Sequence, residues 1–259
     1  MVRRSGGIDA PAGRVAVVTG AGQGIGAATA HRLAAAGDRV AVADLVEERA
    51  ERVAGAIRAA GGAACGVACD VSDEVQVKAL FASVDERLGP VEVLVSNAGI
   101  TRDNLLHRLT LTEWRQVMDV HCQGAFLCAR AAAARMVPRR RGKMVFLSST
   151  SAKGNRGQAN YATAKAGLQG LARTLAQELG PFNINVNAVA PGFVETPMTD
   201  AVAERLHLPL EEFHRQVRER IPLRRLGRPE DVAAVIHFLC SEAAAYVSGQ
   251  VLTVDGARG

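Results

Sequence analysis

Aromatic residues are scarce in this chain. Among 259 residues there are 2 Tyr, 1 Trp and 7 Phe, 4% in all. That leaves too few rings to interleave with basic residues as stacking platforms for nucleic acid. Cysteines number 5, an odd count with no Cys-x-x-Cys pair, so Cys65, Cys69, Cys122, Cys128 and Cys240 build neither a disulfide framework nor a zinc knuckle. The six His are scattered and form no His-Glu-x-x-His pattern, and no metal is expected. No apolar run reaches the roughly 18–20 residues of a membrane span, so no membrane partner is expected. The opening Met1-Val2-Arg3-Arg4-Ser5-Gly6-Gly7 has no apolar stretch behind its basic residues and is not read as a signal peptide. A cytoplasmic protein is expected. The 26 Gly follow no strict period, which excludes a collagen-like chain.

What is present is ordinary for a globular domain: 48% hydrophobic and 22% charged residues. The charge is 31 − 26 = +5, mostly from Arg. Its one dense run, Arg139-Arg140-Arg141 followed by Lys143, reads as a solvated turn between a helix and a strand; no nucleic-acid partner is expected.

Short β-branched runs alternate with Ala/Leu/Arg-rich amphipathic stretches, the pattern of repeated βα units. Strands are predicted at 14–19, 39–43, 64–68, 91–95, 144–148, 184–188 and 251–254. Helices are predicted at 24–36, 47–60, 73–88, 113–137, 161–179 and 229–240. Gly37 and Gly61-Gly62 stop the first two helices, and Ser72 is the expected N-cap of the third. Right-handed crossovers then give an α/β fold: a Rossmann-type, doubly wound, seven-stranded parallel sheet in a single domain. Residues 1–13 read as a flexible N-terminal tail before a domain at 14–259. The polar stretch 199–221 follows the sixth strand, where open α/β sheets place ligands, and reads as a substrate lid.

The first strand runs into Thr19-Gly20-Ala21-Gly22-Gln23-Gly24-Ile25-Gly26 and then a helix. Glycines there let the backbone approach a pyrophosphate, and the helix N-terminus offers free N–H groups. Asp44, at the end of the second strand, is placed to accept hydrogen bonds from the adenosine ribose of NAD and to repel a 2′-phosphate. Asp70 and Val71, after the third strand, border the adenine. Tyr161 and Lys165 are spaced i, i+4 at a helix start, so they share a face. Random placement of 2 Tyr and 4 Lys would produce this spacing about 0.03 times. A neighbouring ammonium lowers a phenol pKa and makes it a general acid or base for a carbonyl/alcohol pair. Ser148, ending the preceding strand, offers a hydrogen bond to the same oxygen, with Ser149, Thr150 and Ser151 as competitors.

Together with Asn97-Ala98-Gly99 and Pro191-Gly192, these motifs resemble the short-chain dehydrogenases/reductases over nearly the whole length. Blocks such as Gly157-Gln158-Ala159-Asn160-Tyr161 and Ala190-Pro191-Gly192-Phe193-Val194-Glu195-Thr196 are most similar to 3-oxoacyl-[acyl-carrier-protein] reductases. The resemblance implies an oxidoreductase with Tyr161 as acid/base. It makes Ser148, thirteen residues before Tyr161, the group that polarises the carbonyl. It gives Lys165 the nicotinamide ribose and a lowered Tyr161 pKa. Gly20, Gln23, Gly24, Ile25, Gly26, Asn97, Ala98 and Gly99 would line the dinucleotide, and Pro191, Gly192, Val194 and Thr196 would flank the nicotinamide. The implied partners are a small ketone or acyl thioester, an acyl-carrier protein, and three further copies of the chain in a homotetramer.

Four departures stand out. Gln23 replaces a basic residue common in NADPH-using relatives, which with Asp44 points to NAD(H) preferred over NADP(H). His121 occupies the place of a catalytic Asn whose backbone carbonyl holds a relay water, and its imidazole is a second candidate for the relay near neutrality. Phe182 stands where carrier-dependent members carry a basic residue. The 199–221 stretch is longer than the usual lid.

Overall fold

The computed structural model describes residues 13–205 and 208–258, so the tail expected at 1–13 lies, but for Gly13, outside the described residues. Seven parallel strands stand in the order β3-β2-β1-β4-β5-β6-β7. They are β1 Val15–Thr19, β2 Arg39–Asp44, β3 Ala64–Ala68, β4 Val91–Ser96, β5 Gly142–Leu147, β6 Ile184–Pro191 and β7 Val251–Val254. β1, β4 and β5 are buried along their whole length, which is why they read as unbroken apolar runs. The order reverses between β1 and β4, so a crevice opens at their carboxyl ends.

Helices cover both faces. On one, α1 (Gly24–Ala35), α2 (Glu47–Ala59) and α9 (Pro229–Cys240) bury Leu33, Ile57 and Ile236 against Val18, Val42 and Val145. On the other, α3 (Glu74–Arg87), α5 (Gly124–Arg139) and α6 (Ala159–Leu179) bury Phe81, Ala129 and Leu168 against Val17, Met144 and Phe146.

Two expectations change and two are filled in. The N-cap of α3 is Asp73, not Ser72: its carboxylate accepts from the Val75 and Gln76 amides, while Ser72 donates to Asp70. The helix expected at 113–137 is two helices, α4 (Leu111–Met118) and α5, joined by a π-helical turn over Asp119–Gln123. A π turn inserts one residue and so rotates α5 relative to α4. The run Arg139–Arg141 is tied down. Arg139 and Arg141 both pair with buried Glu92, at 3.2 and 2.9 Å, and Arg140 adopts the left-handed conformation that ends α5. Finally, the stretch 199–221 holds structure of its own. α7 (Pro197–Arg205) begins two residues before it and α8 (Leu210–Glu219) comes next, around a small core of Ala203, Phe213, Val217, Ile221 and Leu226.

Candidate active site

The residues predicted to hold cofactor and substrate all line one cleft of about 400 Å³ at the switch point, except Gly26. Its dinucleotide end is built on backbone. Thr19 Oγ1 accepts from the Asn97 and Ala98 amides, at 3.0 and 3.1 Å, and clamps β1 to β4. The Asn97 side chain donates to the Thr19 and Gly20 carbonyls, both at 2.9 Å, so it braces the turn rather than reaching into the cleft. Gly26 is excluded from the lining because it packs beneath the turn. A Cβ there would lie 2.3 Å from the Gly20 carbonyl oxygen.

The N-cap of α1, Gln23, makes no side-chain cap, and the first turn carries no acid. Its amides and dipole are thus free to receive an anion. Gly24, at φ +55°, faces the Thr196 side chain, and a Cβ there would come within 3.3 Å of it. This narrow, amide-lined cradle fits a dinucleotide pyrophosphate. Asp44 sits at the far end, buried. Its Oδ2 accepts from the Gly22 amide at 2.9 Å and its Oδ1 from the Val46 amide at 3.1 Å. Each oxygen has a second lone pair beyond these bonds, and Asp44 lines the cleft. Asp70 and Val71 line the same wall, joined by Leu45 and Arg49, which carry no motif in the sequence that would mark them.

The other end holds the titratable groups. Asn160 accepts from the Tyr161 amide and donates to the Arg102 carbonyl, fixing the start of α6. Tyr161 and Lys165 do share a face, with Nζ 5.4 Å from the phenol ring centre. Nζ donates to the Leu147 carbonyl at 2.5 Å. Burial pulls Lys165 from its ordinary 10.5 down to about 7. Burial pushes Tyr161 up to about 12, opposed by a hydrogen bond from Ser149 and assisted by the Asp103 charge. The Tyr161 pKa is therefore raised, not lowered as the Lys165 spacing suggested. Desolvation dominates at Tyr161, and burial also weakens the charge on Lys165.

Ser148 is not the hydroxyl at Tyr161. Its Oγ donates to the Lys165 carbonyl at 2.8 Å and accepts from Gln169 Nε2 at 3.0 Å. Ser149 takes the place expected of it. Strand alternation explains the difference. Met144 and Phe146 face α6, so Ser148 falls on the α6 side, while Ser149 lies past the strand end. A count of thirteen residues back from Tyr161 misses this by one.

His121 sits in the π turn and is buried. Its Nε2 lies 2.8 Å from the Ile100 carbonyl oxygen and its ring stands edge-on to Tyr161, centres 5.3 Å apart. Burial, and then the Lys165 charge, lower its pKa to about 3, against a raising hydrogen bond to Ile100. The imidazole does not titrate near neutrality. Its ring fills the space above Gly99, where a Cβ would meet Cε1 at 2.4 Å.

Among the described residues no group of three His, Cys, Asp or Glu could hold a metal ion, and no helix is long and apolar enough to cross a membrane. All five cysteines are free thiols.

A family model described as enoyl-(acyl carrier protein) reductase matches residues 20–257. The short-chain reductase protein NovJ of Streptomyces niveus is 45% identical over 94% of this chain and 93% of its own. The 3-oxoacyl-[acyl-carrier-protein] reductase FabG of Aquifex aeolicus is 43% identical over 94% of this chain and 96% of its own. The crystal structure of levodione reductase superposes with a TM-score of 0.91 and 34% identity, covering 95% of this chain and 97% of that one.

Proposed function

The chain belongs to the short-chain dehydrogenase/reductase family of NAD(P)-dependent oxidoreductases acting on CH–OH groups, and from that premise we propose that it reduces a 3-oxoacyl thioester, with NAD(H) preferred over NADP(H). The observation that carries the reaction type is the Tyr161 hydroxyl, bonded to Ser149 and beside Lys165, on the floor of a cleft whose other end suits a dinucleotide.

When bound, the nicotinamide supplies or accepts the hydride. The protein's own residues handle the oxygen. Ser149 donates a hydrogen bond to the carbonyl oxygen, and Tyr161 gives that oxygen its proton. A phenol held near 12 stays protonated at neutral pH, which favours reduction. Lys165, its ammonium anchored on Leu147, orients the nicotinamide ribose and stabilises the phenolate left after transfer. His121 acts as a wedge that holds Ile100 and the edge of Tyr161, leaving the water relay to its backbone carbonyl. Gly20, Gln23, Gly24 and Ile25 receive the pyrophosphate. Pro191, Gly192, Val194 and Thr196 flank the nicotinamide, and α7 and α8 form the lid.

The NAD preference rests on Asp44. Arg49, in the wall beside it, supports a second reading, in which a 2′-phosphate is tolerated by the guanidinium. Initial rates with an acetoacetyl thioester, using NADH and NADPH in parallel, test both. The expected result is turnover with NADH favoured, and Asp44→Ala moving the ratio at least tenfold toward NADPH. Unchanged ratios in that variant would remove Asp44 from the ribose. An NADPH preference in the parent chain would favour Arg49. An acyl-carrier protein as donor is the weaker part of the proposal, since Phe182 packs against the core and Arg139 and Arg141 are already held by Glu92.

A further inference from the structure

Beyond Tyr161 and Ser149 the cleft opens into a second cavity of about 1160 Å³ under α7 and α8. Its wall carries six cationic side chains, Arg108, Lys153, Arg156, Arg205, Arg220 and Arg258, against two carboxylates, Asp103 and Asp255. Scattering the chain's charges at random over the same wall would give about three of each sign. The excess of positive charge is therefore concentrated where substrate must enter.

Both carboxylates are engaged. Asp103 pairs with Arg205 at 3.1 Å, and the Asp255 charge acts on Arg258. Arg108, Lys153, Arg156 and Arg220 have no ion pair among the described residues. Arg258 is the one cation of the set that stacks on an aromatic ring of the cavity wall. Its guanidinium lies over the Phe193 ring, 4.6 Å from the centre, which fixes the plane of its donors. Burial, and then the Arg220 charge, lower the Arg258 pKa, against the Asp255 charge. Arg220 and Arg258 share this wall, and the planar fork of donors on each matches phosphate or carboxylate oxygens.

We propose that Arg220 and Arg258 form an anion subsite, and that the ketone reduced at Tyr161 is tethered to an anionic oxygen group, a phosphate or a carboxylate, which that subsite receives. This inference rests on the ketone-reductase reading and adds the substrate's charge. The anion has two possible sources: the phosphate of a pantetheine-type arm on the thioester side, or a carboxylate at the far end of the acyl chain.

Three substrates with the same reacting carbonyl separate them: the acetoacetyl thioester of N-acetylcysteamine, which is neutral, the acetoacetyl thioester of 4′-phosphopantetheine, and the 3-oxoadipyl thioester of N-acetylcysteamine. At low salt, one anionic substrate is expected to exceed the neutral one at least tenfold in kcat/KM, through KM. R220Q and R258Q together should abolish that preference and leave the neutral substrate unchanged. The preferred substrate identifies the source. Equal rates on all three, or a double variant that depresses all three alike, would overturn the subsite. If none is reduced, the thermal midpoint in millimolar inorganic phosphate decides. A rise in the parent chain that the double variant loses sustains the subsite and sinks the reaction assigned to it. No difference between the two overturns the subsite as well.

Discussion

A single position separates the two serines at the end of β5, and their roles should differ by orders of magnitude. Ser149→Ala is expected to lower kcat for ketone reduction at least a hundredfold, with cofactor affinity unchanged, because it removes the hydroxyl at Tyr161. Ser148→Ala should instead cost about 1 kcal/mol of stability, since it deletes buried hydrogen bonds to Lys165 and Gln169. Urea unfolding and steady-state rates on the two variants distinguish these outcomes, and the reverse pattern would restore Ser148. Tyr161 and Lys165 were legible in the sequence because their partnership is local, fixed by helical spacing. The serine was not, because its side of the strand depends on where β5 stops. Neither were the pKa values of Tyr161, Lys165 and His121, since burial, which shifts all three, belongs to the assembled site.

His121 gives the residue scale a pH signature. Its folded pKa of about 3 lies below the ordinary 6.5, so the unfolded chain binds more protons between those values. Stability contributed by the neutral ring is full above about 6.5 and is lost as pH falls toward 3. At pH 4.5 the loss is about 2–3 kcal/mol. Relative to the parent, H121N should gain that amount in unfolding free energy between pH 7.5 and 4.5, measured by urea titration. A parent–variant difference that does not move with pH would mean that the ring is not held neutral.

At the scale of elements, the unexpected features are the π turn and the helices α7 and α8. The π turn places His121 against Gly99 and Tyr161, a phase that no heptad or helical wheel drawn through 113–137 predicts. Gly99→Ala forces a methyl group to within 2.4 Å of the His121 ring. It should destabilise the chain by about 1–3 kcal/mol, and H121N should relieve part of that. Additive effects of the two substitutions, read as Tm shifts, would place the clash elsewhere. The α7–α8 segment has its own core, yet Arg205 of α7 pairs with Asp103 across the larger cavity. In R205Q, limited proteolysis within 197–221 should quicken several-fold while the sheet stays protected. Unchanged cleavage would show that the small core alone holds α7 and α8 in place. The sequence marked this segment by its polarity and position. It concealed the helices, because α7 and α8 each bury only one or two side chains.

At the scale of the molecule, large apolar groups remain on the surface, among them Phe126 on α5 at 48% exposure and Tyr246 before β7, fully exposed. They lie on α5 and beside β7, and the family resemblance implies a homotetramer, built through the helices expected at 113–137 and 161–179 and the C-terminal strand. Light scattering on the purified chain should report four copies, and F126E should shift it toward smaller species. A monomer at micromolar concentration would leave those groups without the assigned cover.

Local rules were enough to specify the doubly wound parallel sheet of seven strands, the glycine turn and the Tyr161–Lys165 pair. Each of these comes from periodicity, chirality and spacing in the amino-acid sequence, which operate within a few residues or one βα unit. Folding was needed to settle which serine meets Tyr161 and that His121 stays neutral. It also spent two of the three arginines at 139–141 on Glu92, while gathering distant arginines over the substrate cavity. Those outcomes depend on burial and on charges brought together from separate elements, and neither is encoded in any one stretch of the chain.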